Sequence, residues 1–441
     1  MLSANRNPTY NLKAVLQETG LKADTLRAWE RRYGMPQPQR TAGGHRLYSQ
    51  RDIDTIKWLV ARQQEGMSIS RAVDLWHSLE AEGRDPLQAS GVAVPRAEVV
   101  AVSLPAGAAV ADLRQMWVSA CLAYDERGAE QILAQASALF PVEAVCLELL
   151  QKGLSEIGSG WYRGEVTVQQ EHFASELALR RIEALLAATP PPTRGKNILV
   201  GCPPEEEHTF SLLLIALFLR RRGWDVLYLG PNVPVARLDS AIDAAKSQLV
   251  ILSAQQLHTA ASLAEVAQFL HQHRVPLGYG GLIFNLLPGV RARIPGYFLG
   301  ESLDLVPQAV EQLLSSPPPV PAAQAPTEEY RQAVGHFQEH QAQLEAEMWR
   351  SLEALNIGPD YLALANLHLA HNIVAALSLG DMDYLGVDIE WVEDVIGGYR
   401  IPRQSLYGYL GAYHQAARAQ LGERGAPVVR WLGQVVAGGF S

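Results

Sequence analysis

The segment from about residue 195 to 315 constrains the fold most, because short apolar runs alternate there with helical patterns. Five runs rich in apolar residues are separated by polar loops and by segments of 3.6-residue periodicity. This alternation predicts a doubly wound, Rossmann-like α/β domain with a parallel sheet. The first run is not followed by Gly-x-Gly-x-x-Gly, so the phosphate turn of a dinucleotide site is missing. We therefore expect a ligand other than NAD.

A histidine, His208, lies in the loop that follows the first apolar run. Residues 202–211 join the run Asn197–Gly201 to a helical pattern that starts near Phe210. Open parallel sheets bind ligands beyond the carboxyl ends of their strands, which is where this loop is predicted to lie. An imidazole there can ligate a metal or be an ordinary, hydrogen-bonded loop residue. The loop by itself leaves both interpretations open.

Length, charge and cysteine content limit the class of protein. A chain of 441 residues suggests about three domains. The net charge of -9 means that any nucleic-acid site must be a local basic patch. The three cysteines include no close pair, which favours a reducing cytoplasm. Neither a signal-peptide pattern nor a run of about 18 apolar residues occurs, so no membrane association is expected.

Residues 8–80 have the pattern of two helices followed by a hairpin. The first helix is predicted over residues 10–18, and Asp24 is the expected N-cap of the second. Paired glycines at 43 and 44 permit a tight hairpin, which would form a wing. Cations outnumber acids between residues 22 and 51, as phosphate neutralisation requires. A solvated charged helix face is the alternative for the charges alone.

The order of residues in this segment closely resembles the winged-helix domain of the MerR regulator family. The resemblance covers about 70 residues and rests on TLRAWERRYG at 25–34 and RTAGGHRLY at 40–48. It implies that three helix arginines face the major groove or its phosphates and that four wing residues touch the DNA backbone. Such proteins bind double-stranded operators as dimers, so a homo-oligomer, a dimer or a tetramer, is expected. The implied contacts are Arg27, Arg31 and Arg32 on the helix and Arg40, His45, Arg46 and Tyr48 on the wing.

Two segments connect the winged helix to the α/β domain. Residues 81–110 are rich in Ala, Val, Pro and Gly without a clear period, which predicts a linker. Residues 111–189 contain four helical patterns with short connections, which predict a four-helix bundle. Within this bundle Trp161 is separated by nine residues from the pair Glu171-His172. On their own, these three residues are typical of packing and of a solvated helix edge.

The α/β domain resembles the cobalamin-binding fold shared with methionine synthase and the mutases. The spacing of Trp161 and Glu171-His172 is similar to the cap of the CarH/LitR-type photoreceptor regulators, which join this module to a MerR domain. The composite resemblance covers residues 8–315 in the family's order. Its motifs in the α/β domain are Glu206-x-His208, residues 227–231, Leu252-Ser253 and Gly280-Gly281.

This resemblance implies a role for each of the matching residues. His208 would be the lower axial ligand of cobalt in cobalamin, with Glu206 as its hydrogen-bonding partner. Three residues, Ser253, Gly280 and Gly281, would line the slot for the nucleotide tail, where glycines permit close backbone approach. Three others, Trp161, Glu171 and His172, would cover the upper face, where the adenosyl or methyl group of adenosylcobalamin or methylcobalamin sits.

Two positions depart from the family's pattern. Ser211 stands where a glycine is usual, three residues after the ligand histidine, and a hydroxyl adds little bulk. Tyr162 stands where the best-known members have a histidine that captures cobalt after photolysis. A bis-histidine light state would therefore need His172 or another group.

The carboxyl-terminal part is predicted to be helical. Residues 316–327 form a proline-rich linker, and residues 328–441 show helical patterns without strands. The residues alone favour a dimerisation or effector-binding bundle with ordinary histidines. Two of these histidines, His368 and His371, lie one helical turn apart. The full set is His336, His340, His368, His371 and His414.

The order of domains is similar to that of the photocobilins, in which a globin-like helical domain follows the cobalamin module. This resemblance implies a linear tetrapyrrole, such as biliverdin, beside the corrinoid, with His368 and His371 as candidate contacts. No cysteine occurs beyond Cys202, so the helical domain cannot itself supply a thioether link. Haem ligated by His368 or His371 is the competing pigment.

Together these resemblances imply a light-responsive transcriptional regulator rather than an enzyme. A light-independent sensor of corrinoid supply is the first alternative. A cobalamin-dependent mutase or methyltransferase is disfavoured, because no substrate-sized catalytic barrel precedes or follows the module.

Overall fold

The computed structural model describes residues 8–19, 21–40, 44, 46–64, 69–81, 85–89, 109–352, 359–386 and 403–438. The chain divides into two compact units, Met1–Ala106 and Gly107–Ser441. Over the described residues, no helix has both the length and the apolar content that crossing a membrane requires.

The first unit contains the predicted helices and wing. Strands β1 (Tyr10–Asn11), β2 (Gln39–Arg40) and β3 (Arg46–Tyr48) form an antiparallel sheet in the order β1-β3-β2. Leu26 and Trp29 are buried in its core. The helices are α1 (Leu12–Thr19), α2 (Ala23–Tyr33), α3 (Gln50–Gln64), α4 (Ile69–Ala81) and α5 (Pro86–Ala89), the last within the predicted linker.

Two details at the start of this unit differ from the prediction. The first helix begins at Leu12 rather than at Tyr10, because Tyr10 and Asn11 pair with β3. The N-cap of α2 is Lys22, without a side-chain cap, so the prediction of Asp24 at this position is wrong. Asp24 lies instead in the first turn of α2, where its carboxylate interacts favourably with the helix dipole. Helix α2 ends at Tyr33 and is capped by Gly34, whose φ of 69° suits a glycine C-cap.

The second unit begins with a helical bundle. A π-helical turn, Val145–Gln151, interrupts the third of the predicted helices. Such turns occur frequently at functional sites. The segments are α6 (Val110–Leu122), α7 (Glu126–Leu139), α8 (Val142–Ala144), α9 (Lys152–Tyr162) and α10 (Val168–Ala187).

The parallel sheet follows, with all five strands as predicted. Its order is β5-β4-β6-β7-β8 and every pairing is parallel. From β4 the chain therefore passes to β5 on one side of this strand, and then to β6 on the other side. The strands are β4 (Asn197–Gly201), β5 (Asp225–Gly230), β6 (Ser247–Ser253), β7 (Leu277–Gly280) and β8 (Tyr297–Phe298). The helices are α11 (Phe210–Arg221), α12 (Leu238–Ala245), α13 (Leu257–Gln272), α14 (Leu282–Leu286) and α15 (Val306–Ser315).

The carboxyl-terminal helices pack directly on the sheet domain. Helix α17 lies along α13, and both contribute to one hydrophobic core. The proline-rich segment before them is held in place, since Tyr297 donates to the Pro318 carbonyl at 2.5 Å and Gln324 N donates to the Ala292 carbonyl at 2.9 Å. The helices are α16 (Glu328–Leu352), α17 (Pro359–Leu379), α18 (Arg403–Leu421) and α19 (Ala426–Gly438). A helix predicted over residues 382–396 lies mostly outside the described residues, and the likeness to a globin stays a prediction.

Candidate functional site

His208 lies in the loop between β4 and α11, at the carboxyl edge of the sheet. Because β4 lies between β5 and β6, this edge is the point where connections leave in opposite directions, and such points form ligand clefts. Backbone hydrogen bonds fix the loop against the end of β5. Glu205 N donates to Asn232 Oδ1 at 3.0 Å, and Asn232 N donates to the Glu206 carbonyl at 3.0 Å.

Glu206 is fully buried beneath His208, and its carboxylate is saturated with hydrogen bonds. Oε1 accepts from His208 N at 2.9 Å and from His208 Nδ1 at 2.6 Å. Oε2 accepts from Gln255 N and from Thr259 Oγ1, each at 2.7 Å. Burial opposes ionisation, but these hydrogen bonds outweigh it and hold the pKa of Glu206 below its ordinary value. Glu206 is therefore a carboxylate that orients the imidazole.

This partnership determines which nitrogen of His208 is available to a ligand. An ionised carboxylate only accepts hydrogen bonds, so Nδ1 carries a proton and Nε2 bears the lone pair in the neutral ring. The ring is 60% exposed, so a ligand can approach it from the cleft. Metal-ligating histidines typically donate their second nitrogen to a carboxylate in this way. The pair therefore fits the expected role of a cobalt ligand with its partner.

The carboxylate also changes the titration of the imidazole. The hydrogen bond to Glu206 raises the pKa of His208 against the opposing effect of burial. The stabilisation that charged His208 gains is full below its unfolded pKa of about 6.5 and is lost as the pH rises through the raised folded value. Glu206 behaves oppositely, since its lowered pKa contributes stability that is lost as the pH falls through the folded value. Between the two folded pKa values both groups are charged.

We predict that Glu206→Gln lowers the pKa of His208 in the ligand-free chain, measured by NMR titration of the imidazole. The amide cannot supply the charge that offsets burial, so the pKa should fall to or below the ordinary value of a histidine. Glu207→Gln is the matched control, because Glu207 affects the pKa of His208 only through its charge, and less strongly than Glu206 does. Equal decreases in the two variants would show that the hydrogen bond is not the cause.

Two residues in this network were missed from the sequence. Gln255 connects three parts of the sheet edge by hydrogen bonds. Its backbone N donates to Glu206, and its side-chain Nε2 donates to Ser253 Oγ at 2.8 Å. Its Oε1 accepts from Leu282 N at 3.0 Å. Thr259, in the first turn of α13, is buried and bonds Glu206 directly. Neither belongs to a motif of fixed spacing with His208. The only signal was their position just after the Leu252-Ser253 strand end.

The residues expected to line the nucleotide slot lie together at the ends of β6 and β7. Ser253 pairs with Gly280 in the sheet register. A side chain at Gly280 would meet nothing within 4 Å, so there is open space beside it. Gly281 differs, because its φ is 122° and an added Cβ would lie 1.9 Å from the Ala254 carbonyl oxygen. Gly280 thus leaves room for a ligand, whereas Gly281 permits close packing of the two backbones.

The predicted cap residues lie near the carboxyl-terminal end of α9, for Trp161, and near the amino-terminal end of α10, for Glu171 and His172. Trp161 is half-buried, and its ring centroid is 5.0 Å from that of Tyr162. Glu171 accepts from Ser175 Oγ at 2.6 Å and lies 3.1 Å from His172 Nδ1. Helix α10 packs against α11, which follows the loop of His208, and the negative charge of Glu171 contributes to the raised pKa of His208. His172 is 76% exposed and available to a ligand.

Helix α2 and strand β2 present basic residues expected at DNA, three arginines on the helix and Arg40 on the strand. Four arginines are exposed, and one of them, Arg27, lies 3.7 Å from Asp24. Near them, Glu30 links the helix to the wing by accepting from Arg46 Nε at 2.9 Å and from the Tyr48 hydroxyl at 2.6 Å. The exposed arginines are Arg27, Arg31, Arg32 and Arg40.

One expected DNA contact is corrected by the structure. Tyr48 is fully buried, and burial with the Glu30 hydrogen bond raises its pKa. Its hydroxyl is directed at a carboxylate within the domain, so the expectation that Tyr48 touches the DNA backbone is wrong for this conformation. Arg46 is half-buried in the same network. His45 lies outside the described residues.

The histidines of α17 adjoin the edge of the sheet domain. The ring of His371 lies 6.1 Å from that of His258, in the first turn of α13. Burial lowers the pKa of His258, and its Nδ1 is buried without a hydrogen-bond partner among the described residues. His368 contacts Asn372 at 3.1 Å, and burial lowers its pKa as well. No sequence motif singles out His258.

Family models match three segments of the chain. Residues 10–79 match the model described as MerR HTH family regulatory protein. Residues 113–186 and residues 196–309 match two models, each described as B12 binding domain. These ranges fall within the predicted winged helix, bundle and α/β domain.

Two characterised relatives extend across these segments. The HTH-type transcriptional repressor CarH of Myxococcus xanthus is 34% identical over 282 residues, which are 62% of this chain and 89% of that protein. The repressor CarA of the same organism is 31% identical over 248 residues, covering 56% of this chain and 76% of CarA. Among solved structures, the monomethylamine corrinoid protein of Methanosarcina barkeri is similar with a TM-score of 0.40 and 16% identity, covering 46% of this chain and 96% of that one.

Proposed function

The chain belongs to the MerR-family regulators that carry a cobalamin-binding module, and on this premise we propose that it is a light-responsive, cytoplasmic transcriptional regulator. It binds a double-stranded DNA operator through residues 8–80 and adenosylcobalamin or methylcobalamin at His208. The named relatives of greatest coverage are transcriptional repressors, which favours a regulator over an enzyme.

The observation that carries the corrinoid assignment is the pair formed by Glu206 and His208. A buried carboxylate with four hydrogen bonds fixes Nδ1 of an exposed imidazole. Nε2 is thereby oriented for cobalt at the edge of the sheet. When bound, an alkylcobalamin supplies a cobalt–carbon bond that light can break. The chain supplies the lower ligand, the slot beside Ser253 and Gly280, and the cap that covers the upper face.

The cap gives the chain a means to respond. Trp161, Glu171 and His172 belong to the bundle, and His208 belongs to the sheet domain. A change of the alkyl group on the upper face of cobalamin alters the contacts between the bundle and the sheet domain, and so shifts the position of the bundle. This shift alters self-association of the chain. In a dimer two winged helices are joined, so once one binds the operator the other is at a high effective concentration near its half-site, and DNA binding is stronger. His172 is the imidazole available to the upper face, since Tyr162 replaces the usual histidine.

An absorbance spectrum with added adenosylcobalamin, recorded before and after illumination, tests this proposal. Operator binding is measured on the same two samples. We expect a bound corrinoid band that changes on illumination, with a change in operator affinity. A light-independent corrinoid sensor, favoured by Tyr162 at the usual histidine position, would bind the operator equally in darkness and in light. Absence of any bound corrinoid would overturn both candidates.

A second chromophore is proposed beside the first, at the contact between α13 and α17. The support is polar and buried: His258 Nδ1, in the first turn of α13, has no hydrogen-bond partner among the described residues. His371 faces His258, and His368 lies one turn earlier on the same helix. A linear tetrapyrrole such as biliverdin carries amide and carboxylate groups that would pair with the ring nitrogens of these histidines.

The pigment is tested by supplying biliverdin or haem to the purified chain. We expect a red-absorbing band with biliverdin that weakens in His371→Ala and persists in His271→Ala, an exposed histidine at the far end of α13. A Soret band with haem that disappears in the same variant would favour haem over biliverdin. No band with either pigment would remove this part of the proposal.

Arg31→Ala tests the DNA surface. If Arg31 neutralises one phosphate, its loss should weaken operator and non-operator DNA alike and reduce the log–log salt slope of affinity by about 1. Fluorescence anisotropy at several salt concentrations measures this slope. Arg180→Ala, which removes an equal charge from an exposed position in the second unit, should leave the slope unchanged. A slope unaffected by Arg31→Ala would place that residue away from the phosphates.

A further inference from the structure

Three side chains that the proposed function does not use converge on one face of α16. His336, Glu339 and His340 are spaced i, i+3 and i+4, so the helix brings them together. One ligand-type atom from each lies within 4.8 Å of the others. The two imidazole rings are half-buried with centroids 4.2 Å apart, and Glu339 is exposed. Over the part of the chain that the structure describes, no other group of three such residues meets this distance.

Each histidine uses one ring nitrogen in a hydrogen bond to a backbone carbonyl. His336 Nε2 lies 2.8 Å from the carbonyl oxygen of Leu421, the last residue of α18. His340 Nδ1 lies 2.9 Å from the carbonyl oxygen of His336. A carbonyl oxygen only accepts, so each of these nitrogens carries the proton. In the neutral rings the lone pairs are therefore on His336 Nδ1 and His340 Nε2.

This arrangement is the one that metal ligands require. A ligating imidazole binds through one nitrogen and donates the other to a carbonyl or carboxylate, which fixes its tautomer and orientation. Here two backbone carbonyls already do so. Two imidazoles and a carboxylate form a donor set that suits Zn²⁺, and three protein ligands leave a fourth position for water.

We propose that His336, Glu339 and His340 form a zinc site on α16, beside the end of α18. Because His336 also holds the last carbonyl of α18, an ion there would fix the contact between α16 and α18. The inference concerns residues distinct from those assigned to corrinoid, DNA or tetrapyrrole, so it stands or falls independently of those assignments.

Zinc binding by the full-length chain, measured by competition with a chromogenic chelator, tests the proposal. We expect one zinc site that His340→Ala and Glu339→Gln each weaken by at least about tenfold, in line with the losses seen when metal sites are perturbed. His271→Ala, which removes an exposed histidine elsewhere, should leave that site intact. His340→Ala is preferred to His336→Ala, because the His336 ring also contacts Leu421.

Thermal unfolding with and without Zn²⁺ provides the second measurement. Binding to the native state alone raises the unfolding midpoint of the wild-type chain, and Glu339→Gln should reduce that increase. Glu339 is exposed, so its replacement leaves the fold itself unaffected. The proposal is overturned if His340→Ala and Glu339→Gln bind zinc with the stoichiometry and affinity of the wild type, or if the wild-type chain binds none.

Discussion

Replacing His208 with alanine is expected to lower the affinity for cobalamin by at least about 100-fold, because even outer partners of metal ligands contribute 10- to 100-fold. The variant removes the imidazole whose Nε2 is oriented by Glu206. The ring is largely exposed, so its removal creates no cavity in the core. Absorbance titration in darkness measures the affinity, and the cobalt-dependent bands report the lower ligand directly.

His271→Ala is the control for this experiment, since it removes an exposed imidazole from α13 without approaching the cleft. It should bind cobalamin as the wild type does. Retention of wild-type affinity and of the same photolysis by the His208→Ala variant would show that this imidazole is not the cobalt ligand.

Gly281→Ala is expected to destabilise the sheet domain by roughly 2–6 kcal/mol, the sum of typical costs for a strained φ and for overpacking. The φ of 122° disfavours any side chain, and the new Cβ would be placed 1.9 Å from the Ala254 carbonyl oxygen. The two strand ends must separate to accommodate it. Chemical denaturation of the chain without corrinoid should show the loss, because the strain exists before any ligand binds.

Gly280→Ala is the matched variant at the adjacent position. A Cβ there meets nothing within 4 Å, so the stability without corrinoid should change little. If the nucleotide tail lies beside Ser253 and Gly280, the added methyl group should instead weaken cobalamin binding. Equal loss of stability in both variants would contradict the assignment of Gly281 to backbone packing. Unchanged cobalamin affinity in the Gly280→Ala variant would show that the nucleotide tail does not bind beside Gly280.

The corrinoid edge shows how far sequence reasoning extends. Placement of His208 beyond the first strand required only the local change from a strand pattern to a helical pattern. Glu206, two residues away, could be paired with it through the family resemblance. Thr259 lies 53 residues from Glu206 in the chain, and its hydrogen bond exists because β6 is the neighbour of β4. Alternating patterns predict a parallel sheet but leave its strand order undetermined.

The wing and the α13–α17 contact illustrate the same limit. Tyr48 and Arg46 belong to a motif that the sequence displays clearly, yet the structure directs both at Glu30 on the preceding helix. His258 and His371 are 113 positions apart and meet because α17 packs along α13. A motif specifies residue types and spacing, whereas side-chain direction depends on the neighbours that packing supplies.

The sequence by itself therefore determined the succession of winged helix, bundle, parallel sheet and terminal helices, as well as the loop that holds His208. These are consequences of short-range periodicity and turn chemistry, which each segment carries locally. Only the tertiary structure decided that Glu206 is buried and fourfold bonded, that Gly280 and Gly281 have different tasks, and that His258 meets His371. Those properties arise from contacts between distant segments, and burying shared apolar surface is what brings such segments together.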